Sequence, residues 1–320
     1  MSSMRRDPLK LVRRSKLFIP VNREKFVAKA WTRGADCLIL DLEDSIPPAE
    51  KSSARRMVKD VIPLVKRGGA EIEVRINRDY EEEDLDAVVG PGVAGLMIPK
   101  CESAEEIRRL DQMVSRLEKE RGLPEGRIDF SLIIETARGV VRMEEIVAAS
   151  PRIVQASVGG VDLTQDMGFT RVRDLIAEQF FYPSGKLLYA ARAAGVQASG
   201  LWPQNNVDFT DTTMSYEAML QACRRSFHMG YLGSSTIHPN WCRPLNEGFK
   251  PSPSELDWAR RVKASLEEAY SRGLGSAAVD GRMVDVANVK QVQKILERAE
   301  AVARREAQKE AAIAAAGGIP

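Results

Sequence analysis

Eight short runs rich in Val, Ile and Leu punctuate the first 240 residues, most of them followed by a longer stretch of helical character. They fall at 16–20 (KLFIP), 37–41 (CLILD), 71–77 (EIEVRIN), 95–100 (GLMIPK), 130–136 (FSLIIET), 153–159 (IVQASVG), 200–204 (GLWPQ) and 234–239 (SSTIHP). Near-continuous apolar runs mark strands covered on both faces, as in a parallel sheet. Parallel neighbours need a crossover, which helices supply. Helical patterns at 23–33, 49–66, 103–121 and 212–229 fit that role, and the first three stop at Gly34, at Arg67-Gly68-Gly69 and at Gly122. Ser103, with Glu106 three residues on, has capping-box spacing. Eight strands alternating with helices predict an α/β fold, a (β/α)8 TIM barrel rather than an open sheet. No G-x-G-x-x-G turn follows the first strand, which weakens a dinucleotide-binding reading.

Beyond residue 250 the pattern changes: 252–272 and 286–316 read as helices, the second rich in Ala, Glu, Lys and Arg. The expected organisation is a barrel catalytic domain over 1–250 and a C-terminal helical extension over 251–320. A closed barrel does not need that extension for its own core, so it is expected to cap the barrel or make oligomer contacts.

Composition narrows the class. With 44% hydrophobic and 29% charged residues among 320, the chain can bury a core without staples. Lys and Arg number 47 against 45 Asp and Glu, a net +2 with the signs interspersed, which speaks against a nucleic-acid track. Cys37, Cys101, Cys223 and Cys242 lack zinc-ligand spacing and fit a reducing cytoplasm. The N-terminal MSSMRRDPLKLVRRSK is basic without an apolar stretch behind it, so no signal peptide is expected. No segment has the ~18 apolar residues that span a bilayer.

Chemistry in such a barrel sits at the C-terminal ends of the strands. Strand two exits into Asp41-Leu42-Glu43-Asp44, strand three through Arg75 and Asn77, strand four on Lys100, strand five on Glu135 and strand six into Gly159-Gly160-Val161-Asp162. Carboxylates crowded around one mouth need a counter-charge, and a hard divalent cation supplies it. Glu135 and Asp162, on adjacent strands, suit magnesium, which uses few protein ligands and keeps waters. The alternative is that each only caps the helix that follows. Lys100 and Lys51 are either charge partners of the acids or, less simply, Schiff-base amines. Trp202 either lines the mouth or packs the barrel, His238 marks a turn, and His228 carries no functional signal. Arg13, Arg14, Lys16, Arg23 and Lys25 cluster around strand one, as solvated charge or as partners for phosphates.

Several motifs, taken in order, resemble the citrate lyase beta subunit family within the HpcH/HpaI aldolase group. They are RRSKLFIP (13–20), DCLILDLEDSIPPAEKSSAR (36–55), VRIN (74–77), MIPK (97–100), IIETARGV (133–140), GGVDLTQDMG (159–168), IHP (237–239) and DGRMVD (280–285). The resemblance covers about residues 13 to 300. It implies a (β/α)8 barrel that binds Mg2+ and works on C–C bonds beta to an acyl thioester or carboxylate. By matching motif positions it implies Glu135 and Asp162 as metal ligands. Arg75 matches the arginine that binds the oxo-acid carboxylate, and Glu43 and Asp44 match substrate-side acids near the metal. Asp285 matches an acid–base group lent by a neighbouring subunit in a homotrimer or hexamer.

The implied function is a Mg-dependent carbon–carbon lyase of the citryl-CoA/malyl-CoA lyase type. It would cleave a 3-hydroxyacyl coenzyme A thioester to a 2-oxo acid and an acyl thioester. A metal aldolase acting on free hydroxy or keto acids and a non-catalytic ligand-binding relative remain as alternatives. Two positions depart from the family pattern: Val161 stands where a Glu is common, and Val21 follows Pro20 where a Gly is common.

Overall fold

The structure is a computed structural model that describes residues 7–8, 10–208 and 210–319. The first six residues of the basic N-terminal stretch lie outside the described residues. Eight parallel strands form one sheet: β1 Ser15–Pro20, β2 Cys37–Asp41, β3 Glu71–Arg75, β4 Gly95–Ile98, β5 Asp129–Ile134, β6 Ile153–Val158, β7 Gln197–Ser199 and β8 Ser234–Thr236. Their order is β7-β6-β5-β4-β3-β2-β1-β8. Gly200 N donates to Gly233 O at 2.8 Å and Leu232 N to Ala198 O at 3.1 Å, which brings the two ends of the sheet together as a barrel. Around it run α1 Glu24–Ala30, α2 Lys51–Val65, α3 Glu81–Val88, α4 Ala104–Glu120, α5 Ala137–Val141, α6 Met143–Val147, α7 Gly160–Asp166, α8 Ile176–Ala194, α9 Tyr216–Met229 and α10 Cys242–Gly248. The Ser103 cap forms as its spacing predicts: its Oγ accepts from Glu106 N at 3.2 Å.

Alternation along the strands sorts the barrel interior into layers. Near the N-terminal ends the layer is polar. Lys16 Nζ lies 2.6 Å from Glu73 and donates to Ser131 and Gln155, and Gln155 donates to Gln197 at 2.9 Å. Above it Phe18, Ile39, Met97 and Ile133 pack together as an apolar floor. Above that floor lies the mouth.

The N-terminal end of the barrel is closed by ions. Arg13 is fully buried and pairs with Glu71, Glu73 and Asp129 at 2.5, 2.8 and 2.9 Å. Arg14 pairs with Asp36 and with Glu306 at 2.8 Å each. Arg13, Arg14 and Lys16 are therefore neither solvated charge nor phosphate partners. They precede or begin β1, at the end of the barrel opposite the strand exits, where they neutralise buried acids. Arg23 and Lys25 are exposed.

The C-terminal segment adds α11 Pro253–Ser271, an antiparallel hairpin of β9 Ala277–Val279 and β10 Arg282–Val284, and the 30-residue α12 Val286–Ala315. Between the two expected helices the extension also carries that short hairpin. It shares a small core (Val262, Leu266, Val279, Val284 and Val292) with the two helices. The barrel also makes direct use of α12: Lys309 reaches Asp36 at 2.6 Å, and Arg298 donates to Leu11 O at 2.7 Å. Among the described residues, no helix is long and apolar enough to cross a membrane.

Candidate active site

Five strand exits converge at the C-terminal mouth. Asp41 and Arg75 are the last residues of β2 and β3 and face each other in register. That pairing lets Arg75 Nε and Nη2 grip both oxygens of Asp41 at 2.7 Å. Arg75 Nη1 then lies 2.8 Å from Glu43 and 3.0 Å from Asp44, and its guanidinium sits 4.7 Å above the Phe18 ring. Burial opposes both charges, but each holds the other ionised: Arg75 is raised above its ordinary value and Asp41 lowered below its own. One bidentate edge of Arg75 is thus committed to Asp41, while the Nη1 side meets Glu43 and Asp44.

Glu135 directly follows β5 and is buried. Lys100 N donates to its Oε1 at 2.9 Å. Burial, with Asp162 and Glu43 nearby, pushes Glu135 up to about 8. Neither acid serves as a simple helix cap. Thr136 caps α5 by accepting from Gly139 N at 3.1 Å, and Asp162 sits inside the first turn of α7, whose cap position is Gly159. Gly159 is there for space: a Cβ would fall 2.3 Å from Glu135 Oε2. Asp162 is placed by α7 rather than by the end of β6 itself.

The mouth lysines are engaged rather than free. Lys51 Nζ donates to Leu42 O, Glu43 O and Asn77 Oδ1 at 2.9, 2.5 and 2.7 Å, holding the loop that carries the β2 acids. Lys100 Nζ lies 3.0 Å from Glu43, and although burial opposes its charge, that acid raises it above its ordinary value. Lys100 is a charge partner of Glu43; Lys51 is a loop-holding donor whose charge burial disfavours, and all three of its contacts are already made to oxygens of the fold. Trp202 is buried edge-on against Phe181, so it packs the structure. His238 accepts from Asn240 N in a turn, and His228 pairs with Glu255.

Asp285 is elsewhere. Its side chain accepts from Ala287 N at 2.9 Å at the start of α12, and Asn288 Oδ1 accepts from Asp285 N. None of the hydrogen bonds or ion pairs of the described residues joins it to the mouth. Within one chain it is a helix cap.

A metal here would have Glu135 and Asp162 as its protein ligands. Among the described residues no group of three or more His, Cys, Asp or Glu is arranged to hold one. Two carboxylates with no nitrogen or sulfur donors match a hard, water-retaining cation and not zinc. The upward push on Glu135 comes first from burial and then from the neighbouring acids Asp162 and Glu43, and a bound cation would offset both. The residues fit magnesium.

Fold and site together define a class: a TIM-barrel protein with an acid-lined mouth, an arginine clamped beside it and a pair of carboxylates, Glu135 and Asp162, close together. The HpcH/HpaI aldolase/citrate lyase family model matches residues 14–239, and the chain belongs to that family. It is 33% identical over 294 residues to citrate lyase subunit beta of Leuconostoc mesenteroides subsp. cremoris, covering 91% of this chain and 94% of that one. It is 32% identical over 309 residues to L-malyl-CoA/beta-methylmalyl-CoA lyase of Cereibacter sphaeroides, covering 90% and 95%. Among solved structures, protein CitE of Mycobacterium tuberculosis in complex with magnesium, acetoacetate and coenzyme A superposes with a TM-score of 0.68 at 28% identity, covering 91% and 99%. A citrate lyase of Burkholderia xenovorans shares the fold at TM-score 0.76 and 16% identity, covering 93% and 95%.

Proposed function

We propose that this protein is a Mg2+-dependent carbon–carbon lyase that cleaves a 3-hydroxyacyl coenzyme A thioester into a 2-oxo acid and an acyl thioester. The observation that carries the reading is the mouth itself: Glu135 with Asp162 nearby, and Arg75 held at the β3 exit by Asp41. The relatives named for citrate and malyl-CoA chemistry support it. Magnesium bound there supplies a concentrated positive charge to the oxygens of the hydroxy-acid half. Arg75 offers its Nη1 side to the carboxylate of the departing oxo acid, stiffened by Asp41 on one edge and Phe18 beneath. Asp44, which is exposed and fills part of that side of Arg75 without substrate, gives way to it, while Glu43 stays beside the guanidinium.

The carbon left by bond cleavage must be protonated by an acid. We assign that role to Asp285 of a neighbouring copy in a homotrimer or hexamer, because in its own chain it is turned to the start of α12. We assign the protein to the cytoplasm, a reading that its four buried, free cysteines support.

One observation favours a second reading, a metal aldolase on free hydroxy or keto acids. With Arg13, Arg14 and Lys16 buried at the far end, only the exposed Arg23 and Lys25 of the cluster around β1 remain to meet coenzyme A phosphates. A panel of 3-hydroxyacyl-CoA esters and the corresponding free acids, each assayed with Mg2+ and with chelator, tests the choice. Metal-dependent release of an oxo acid from the esters alone supports the lyase. Turnover of the free acids alone overturns it in favour of the aldolase, and turnover of neither leaves a binding protein.

A further inference from the structure

Lys100 adopts a left-handed backbone conformation, φ +50°, directly after the β4 exit and Pro99. The other non-glycine residues with positive φ among those described are Asn206 and Asp280, whose short polar side chains tolerate that region. A lysine has no such compensation, and glycine would fit at no steric cost. The strain goes with two contacts to two different acids. The amide of Lys100 donates to Glu135 Oε1 at 2.9 Å, and its ammonium lies 3.0 Å from Glu43 Oε1. The amide contact needs no side chain, so the ammonium is what a lysine adds. An ion pair with a side chain 44% exposed returns little stability. Glu43 Oε2 lies 2.8 Å from Arg75 Nη1 as an ion pair without a hydrogen bond, so the carboxylate is held between the two cations by charge. The ammonium also acts electrostatically on Asp44 and Asp162.

We propose that Lys100 is a positioning residue that tethers Glu43 to Arg75 and keeps it from joining Glu135 and Asp162 as a third ligand to the cation, so that substrate oxygens find open coordination positions. This rests on the reading of Glu135 and Asp162 as the cation's ligands. Without the ammonium, Glu43 is free to swing to the cation, and the site becomes a tighter metal binder and a poorer catalyst.

The test compares Lys100→Met, Lys100→Gly and Lys100→Arg by calorimetric titration with Mg2+ alone, by melting temperature, and by turnover of the active ester. Met and Gly are expected to bind Mg2+ about tenfold more tightly than wild type, with kcat down at least about tenfold and KM little changed. Arg is expected to restore both. The Gly variant, relieved of strain, should melt above the Met variant. Adding Glu43→Gln to Lys100→Met should abolish the gain in affinity. Unchanged or weaker Mg2+ binding by Lys100→Met, with normal binding by wild type, overturns the role of Lys100 and leaves the metal site standing. No Mg2+ binding by wild type overturns both.

Discussion

Gly159 sets how near the exits of β5 and β6 can come, because its missing side chain is the space that Glu135 Oε2 occupies. Gly159→Ala is expected to cost roughly 1–3 kcal/mol of stability from overpacking and to weaken Mg2+ binding; intact binding with lowered stability would reduce Gly159 to a packing residue. Arg75→Lys keeps the charge and loses the fork, at an expected cost of about 2–3 kcal/mol in kcat/KM. Because Arg75 is clamped on buried Asp41, its substitution also touches folding. Arg75→Met leaves Asp41 unpaired and should lower stability by about 3–5 kcal/mol in denaturant unfolding. Glu135 gives a pH signature. Its folded value, about 8, lies above that of an unfolded glutamate, so the metal-free fold gains most at low pH and loses that gain as pH rises through 8. Magnesium binding displaces the proton, so affinity should rise about tenfold per pH unit up to that point. Glu135→Gln should flatten the stability profile, and a profile that keeps its slope would place the titration elsewhere. Most of these residues were legible as polar groups at strand ends. Asp41 was counted among the acids, but its role was hidden, because its grip on Arg75 depends on the β2–β3 register.

At the scale of elements, the N-terminal end of the barrel holds the largest departure from what the sequence implies. Asp36 is buried between Arg14 and Lys309; burial opposes its charge, yet the two cations hold its carboxyl well below the usual carboxylate range. Asp36→Asn should lower stability by about 3–5 kcal/mol, as breaking a buried ion network does. Mg2+ affinity should not change, because the mouth lies at the other end; a shift in affinity would mean that the two ends are coupled. A buried network like this reads in sequence as ordinary surface charge, because pairing partners such as Arg14 and Lys309 lie far apart along the chain. The same polar interior hid β7, whose Gln197 and Ser199 are buried polar residues. The apolar run at 200–204, taken as strand seven, follows the strand instead. Helix α8 was obscured by Pro183 and Gly185 within it. The β9–β10 hairpin did leave a signal: Asp280 and Gly281, with φ of +50° and +75°, are an Asp-Gly turn pair. The six strands β1 to β6 were found to within two residues at each end, because long Val/Ile/Leu runs buried on both faces leave little ambiguity.

For the whole molecule, the mouth of one chain holds the carboxylates of Glu135 and Asp162 and the Arg75 guanidinium, while Asp285 stays with α12. If a neighbouring copy supplies that acid, mixed oligomers of inactive Asp285→Asn and inactive Glu135→Gln chains should recover part of the activity, since some sites then contain both groups intact. Verified mixed oligomers without recovery, or an active monomer, would return Asp285 to its role as a helix cap. All of the proposed chemistry depends on the two carboxylates at the exits of β5 and β6 holding a divalent cation, and calorimetric titration of Mg2+ into wild type, Glu135→Gln and Asp162→Asn measures that directly. One site per chain in wild type, with affinity lost by about a hundredfold or more in each variant, is the expected result. Equal affinity in all three proteins would contradict the site and the lyase chemistry built on it.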